Sequence, residues 1–141
     1  MSTTPTLEKL LADSGLAEKA QEVDKNLVRL QWGSAFVLVG VSGSAIVAIA
    51  PLFREPPHEK STSFYKKLLE HNAYMGGMAS FAIQPDGWVI LHSGRAIKGI
   101  DANEFATMIA GVGRFADQFD DTLIAEFYAD QPEATNQAHV Q

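Results

Sequence analysis

Cysteine is absent from this 141-residue chain. Its absence excludes disulfides, thiolate metal sites and a cysteine nucleophile, and it suits a reducing, cytoplasmic setting. Met1 to Lys9 has neither a basic start nor an apolar run, so no secretory leader is expected. Histidine is sparse and dispersed. His58, His71, His92 and His139 show no i,i+4 or H-x-H spacing, and no metal site is expected from them. Positive charge is almost missing after residue 100. There Asp101, Glu104, Asp117, Asp120, Asp121, Glu126, Asp130 and Glu133 face only Arg114, a balance of −7, which leaves about +1 for the first hundred residues of a net −6. Nucleic acid is therefore not an expected partner, because phosphate neutralisation needs clustered Lys and Arg. The simplest reading of the acids, the Asp120-Asp121 pair included, is a solvated helix face.

Charge is also missing from Ser34 to Phe53, a run long enough to raise the question of a membrane helix. Two features argue against one. Val41-Ser42-Gly43-Ser44 breaks the run with turn residues, and Val37, Val39, Val41, Ile46, Val47 and Ile49 are β-branched. No aromatic belt or one-sided basic flank accompanies it. Two strands folded back on each other are expected, largely buried by the chain's own helices or by a partner, and no membrane association.

What is present is a well-patterned α+β order. Thr6 to Ser14 predicts a short helix with Leu7, Leu10 and Leu11 on one face and Gly15 as its stop. Leu16 to Asp24 is expected to continue it. Leu27 to Trp32 alternates as a strand, Leu27, Arg29 and Gln31 on one side and Val28, Leu30 and Trp32 on the other. Strands at 35–41 and 45–53 follow, then a loop at Pro56-Pro57 and a helix over about 62–74 that ends at Gly76-Gly77. Strands at 78–84 and 88–94 are turned by Pro85-Asp86-Gly87. Trp88, Ile90 and His92 share one side of the second strand and Val89 and Leu91 the other, so neither side is suited to water. Asp101 and Glu104 have capping-box spacing, and an amphipathic helix runs from there to about Phe127. The expected layout is α-β-β-β-α-β-β-α, one antiparallel sheet packed with helices in a single domain over 1–130, with a disordered tail at 131–141.

Chemistry is hard to find in this pattern. Gly40-Val41-Ser42-Gly43-Ser44 misses the nucleophile elbow, since its fifth position is Ser and a strand follows it. Gly111-Val112-Gly113 sits inside a helix, where close packing explains it better than a nucleotide loop does. No catalytic residue, cofactor site or metal site is assigned, and the chain is expected not to be an enzyme.

Leu68-Leu69-Glu70-His71-Asn72-Ala73-Tyr74-Met75-Gly76-Gly77 resembles the L-L-x-x-N-x-x-x-G-G helix end of the class I type III secretion chaperones, the Tir-chaperone-like family. The hairpin and acidic last helix continue the likeness, and the element order agrees over roughly residues 6–128. YbjN-like proteins are similar in element order. The long first helical region and the Pro-rich link before the second helix depart from the secretion chaperones. The resemblance implies a homodimer that holds an extended segment of an effector-like protein without ATP. On that basis Phe64, Tyr65, Leu68, Leu69, Met75, Trp88 and Ile90 are dimer-interface candidates. Leu7, Leu10, Leu11, Val28, Leu30 and Trp32 are client-surface candidates. The plain alternative for both sets is intramolecular core. Two other functions stay open at this point: a YbjN-like regulatory protein with a folded partner, and a small-ligand carrier or enzyme.

Overall fold

Alternation along the strands sets the architecture, because one side of a single sheet is sealed by helices and the other is not. The computed structural model describes residues 4–56 and 58–128. The elements are α1 (Leu7–Ser14), β1 (Ala20–Asp24), β2 (Leu27–Trp32), β3 (Ala35–Ser42), β4 (Ala45–Arg54), α2 (Ser61–Met75), β5 (Ser80–Ile83), β6 (Trp88–Ala96) and α3 (Ala102–Phe127), with 3₁₀ turns at Ala17–Lys19 and His58–Lys60. The strands form one six-stranded sheet in the order β1-β2-β3-β4-β6-β5, every pairing antiparallel. The expected α+β class and antiparallel sheet are borne out. The tail at 131–141 lies outside the described residues.

On the covered side, Val28, Val39, Ala48 and Ser93 form one cross-strand row, and the pairs Leu30–Val37 and Ala50–Leu91 lie next to it. All are buried. Helix α3 seals them with Phe105, Met108, Ile109, Val112, Ala116 and Leu123, each at 0% exposure. Such side chains contribute roughly 1.5–3 kcal/mol apiece. The approach is close enough to require glycine, since a Cβ on Gly113 would lie 2.4 Å from Trp32 Cγ. Helix α1 starts at Thr6, whose Oγ1 accepts from Lys9 N, and it buries Leu7, Leu10 and Leu11. Helix α2 is tied in by a ring cluster in which Phe64 meets Phe127 edge-on at 5.1 Å and Phe53 meets Tyr128 at 5.0 Å. The Tyr128 hydroxyl donates to Arg54 O, and Lys60 Nζ donates to Phe127 O at the end of α3.

Three expectations are corrected. Leu16 to Asp24 does not prolong the first helix. Gly15 at φ +79° ends α1, and residues 20–24 pair with β2 through Ala20–Leu30, Gln21–Arg29 and Glu22–Val28. Good helix formers (Ala, Glu, Lys, Gln) are overridden here by strand pairing. The strand expected at 78–84 is only Ser80–Ile83, because Gly76 and Gly77 are both left-handed and Met78 N still bonds back to Met75 O. Asp120 is buried at 4% exposure while Asp121 is exposed. Position 120 lies four residues after Ala116 and three before Leu123, on the inward stripe of α3.

Other details agree with the sequence. Gly43 turns the β3–β4 hairpin at φ +60°, and Gly87 turns β5–β6 at φ +91°. The Asp101 carboxylate accepts from Glu104 N at 2.8 Å, whereas the Glu104 carboxylate pairs with Arg95 Nε at 2.7 Å in place of the reciprocal half of a capping box. No helix of the described residues is long and apolar enough to cross a membrane.

Candidate functional site

The two sheet edges differ. At the β5 edge, Asn72 Oδ1 of α2 accepts from Phe81 N at 2.7 Å, so a helix side chain occupies an edge donor of a four-residue strand. This gives the Asn of the helix-end motif a physical role. At the other edge, β1 has four of its five residues exposed, with Val23 at 55%. Such an edge offers backbone donors and acceptors to another chain.

The two sheet faces differ as well. On the uncovered side, cross-strand rows run Leu27–Gly40–Val47–Gly94, Arg29–Leu38–Ile49–His92 and Gln31–Phe36, with Pro51–Ile90 beyond. Ile90 is buried, Gln31 and Gly94 are exposed, and the other residues of these rows are half-buried. A concavity of about 620 Å³ opens here, walled by Leu27, Leu38, Gly40, Val47 and Ile49, with Asp24, Lys25 and Asn26 at its rim. A second groove, about 550 Å³, runs between α1 and the β1–β2 hairpin, lined by Leu7, Leu11, Ala20, Glu22 and Val28. Lys25 and Asn26 border both hollows, so β1 stands between two grooves.

Among the client-surface candidates, Leu7, Leu11 and Val28 therefore meet along one groove. Leu10 and Leu30 are packed in the core, and Trp32 packs on α3 at Gly113. Among the dimer candidates, Phe64, Leu68, Met75 and Ile90 are buried within the chain, Trp88 is half-buried, and Tyr65 and Leu69 are exposed at 40% and 68%. Tyr74, at 70%, and Met78, at 38%, extend the exposed apolar surface near the end of α2. The sequence pattern does not single out Tyr74, which lies off the helical stripe of Phe64, Leu68 and Met75. The β1 edge was hidden by helix-favouring composition, although Asp24-Lys25-Asn26 before an alternating strand is a hairpin signal.

Titratable groups in this region serve packing. His71 of α2 stacks on Phe119 with ring centroids 4.3 Å apart, and burial, then nearby Lys67, lowers its pKa below the usual histidine value. Burial, then Glu55, raises the Tyr128 hydroxyl above the usual tyrosine range. Asp120 lines a cavity of about 70 Å³ with Arg29, Ser34 and Pro51, where β3 and β4 part. No group of three or more potential ligands that could hold a metal occurs among the described residues.

Among the described residues, a helix-backed antiparallel sheet leaves one apolar face open and one edge free, the architecture of a binding scaffold. The chain belongs to the Tir chaperone protein (CesT) family, whose model matches residues 6–118. No curated protein sequence matches it. Solved structures share its fold at low identity. The ExsC–ExsE complex contains a chain 14% identical, with a TM-score of 0.63 over 87% of this chain and 97% of that one. The heterodimeric ExoU–SpcU complex of the Pseudomonas aeruginosa type III secretion system contains one at 13%, TM-score 0.62, over 82% and 96%. The Yersinia pestis type III secretion chaperone SycH in complex with a fragment of YscM2 matches at 16%, TM-score 0.52, over 79% and 94%.

Proposed function

We propose that this chain is a non-enzymatic, cytoplasmic, secretion-chaperone-like protein that holds an extended segment of a partner protein and works as a homodimer. The observation that carries the reading is the β1 edge, exposed among the described residues, standing between the apolar hollow of the open face and a groove of mixed polar and apolar lining beside α1. A segment added to β1 would satisfy its own backbone on the edge and send alternate side chains to the two sides of the sheet. One set would reach the groove of Leu7, Leu11 and Val28, and the other the open face. Reaching Leu10 or Leu30 would require displacing helices, whereas Leu7, Leu11 and Val28, buried for most of their surface, border the groove directly. Family membership and two neighbours described as parts of type III secretion complexes support the same role.

The dimer is assigned to α2. Tyr65 and Leu69 lie one turn apart on its outer face, and a two-fold axis there would cover both on each copy. Leu69→Asp is expected to convert the dimer to monomer by light scattering. For the client site, hydrogen exchange is followed with a ten-residue peptide alternating Leu and Gln. Slower exchange at the amides of residues 20–24 is the expected result. Binding that leaves β1 exchange unchanged, or no binding, would contradict strand addition.

A further inference from the structure

The chain as a whole is acidic, at −6, yet the open sheet face has the opposite character. Arg29 and Arg54 are the cations in its strand positions. Arg29 stands opposite Leu38 and Arg54 opposite Trp88. Each guanidinium is held over an aromatic ring, Arg29 at 4.1 Å from the Phe36 centroid and Arg54 at 5.7 Å from that of Trp88. Asp24, opposite Leu27 at the end of β1, is the carboxylate in a strand position of this face, and it accepts from Lys25 N at the rim. Asp120 borders a small cavity with Arg29, and Asp86 of the β5–β6 turn lies beside Arg54. Arg54 gives one donor to Asp86 O, a backbone carbonyl.

We propose that the open face recognises an extended segment in which apolar residues are interleaved with Asp or Glu, the apolar groups seated on Leu38, Val47 and Ile49 and the carboxylates on Arg29 and Arg54. This deepens the extended-segment reading and rests on it. A planar guanidinium lying on a ring keeps its edge donors available for a carboxylate, and the stacking preorganises them. A second copy of this chain is a poor occupant of the same face. An isologous contact would press two arginine-bearing surfaces together. The overall charge alone would select the opposite partner, a basic one, so the two ideas make opposed predictions.

The test uses the full chain and three fluorescent ten-residue peptides that alternate Leu with Glu, Gln or Lys, followed by anisotropy. The Leu/Glu peptide is expected to bind about ten-fold tighter than the Leu/Lys peptide, with Leu/Gln between them. Raising salt from about 50 mM to about 500 mM is expected to narrow the gap. Arg29→Gln and Arg54→Gln are each expected to reduce the preference and Arg29→Lys, which keeps the charge without the stacked planar donors, to retain only part of it, with folding checked by circular dichroism. Equal or tighter binding of Leu/Lys overturns the proposal, as does a preference untouched by both glutamine variants. Binding of Leu/Gln as tight as Leu/Glu overturns the charge assignment and leaves the extended-segment reading standing. Failure of all three peptides to bind contradicts that underlying reading as well.

Discussion

The covered and open faces of the sheet come from the same strands, one residue out of step, and they are built to different rules. Leu30, Val37, Val39, Ile46, Ala48 and Ala50 on the covered face are at 0% exposure beneath α3. Leu38, Val47 and Ile49 on the open face are just as apolar and stay half-exposed. An antiparallel sheet that only needs one core alternates apolar-in with polar-out. Here β3 and the body of β4 have no charge on either face, and the cations that do reach the open side, Arg29 of β2 and Arg54 at the end of β4, stand over aromatic rings. Stability accounts for the first face. The second is what a surface awaiting a partner looks like.

Truncations separate the two faces most strongly. Leu30→Ala should cost about 2–5 kcal/mol in denaturant unfolding, because it leaves a cavity in a sealed core. Leu38→Ser, one strand away on the open side, should cost under about 1 kcal/mol and yet weaken peptide binding. If the two losses were equal, the faces would not differ in the way described. Gly113→Ala should destabilise by about 1–3 kcal/mol, since the new Cβ meets the Trp32 ring at the junction of α3 with β2. Asp101→Ala should cost about 1 kcal/mol through loss of the α3 cap, with peptide binding unchanged. The smallest effect concerns His71. Its folded pKa is lowered, so the native state favours the neutral ring. The stability it contributes is present above the unfolded value near 6.5 and is lost as pH falls through the lower folded value. Unfolding midpoints compared over that window should fall less steeply for His71→Gln than for the parent.

Much of this division is readable in the residues. The alternation from Leu27 to Trp32 separates the two sides, the Gly43 and Gly87 turns mark the hairpins, and Asp101 marks the start of α3. Family motif and element order also point to the fold. Three things are not readable, each for a local reason. The β1 edge is written in helix-favouring residues and exists through its pairing with β2. Burial of Asp120 depends on the phase of a long helix, which its pairing with Asp121 disguises. Which of the apolar residues of α2 face inward cannot be told from a broad stripe. Phe64 and Leu68 are sealed by the Phe53–Phe127–Tyr128 rings and by β5, leaving Tyr65 and Leu69 outside.

The most direct test of the division of labour between the surfaces is site-specific photocrosslinking of the full chain in the cells that make it, with the reactive side chain placed at Ile49 in one sample and Leu69 in the other. A heterologous protein joined at 49 through an extended segment, and a second copy of the chain joined at 69, is the predicted result. Self-crosslinks at 49, or a heterologous partner confined to 69, would contradict the assignment of the open face to a client and of α2 to the dimer.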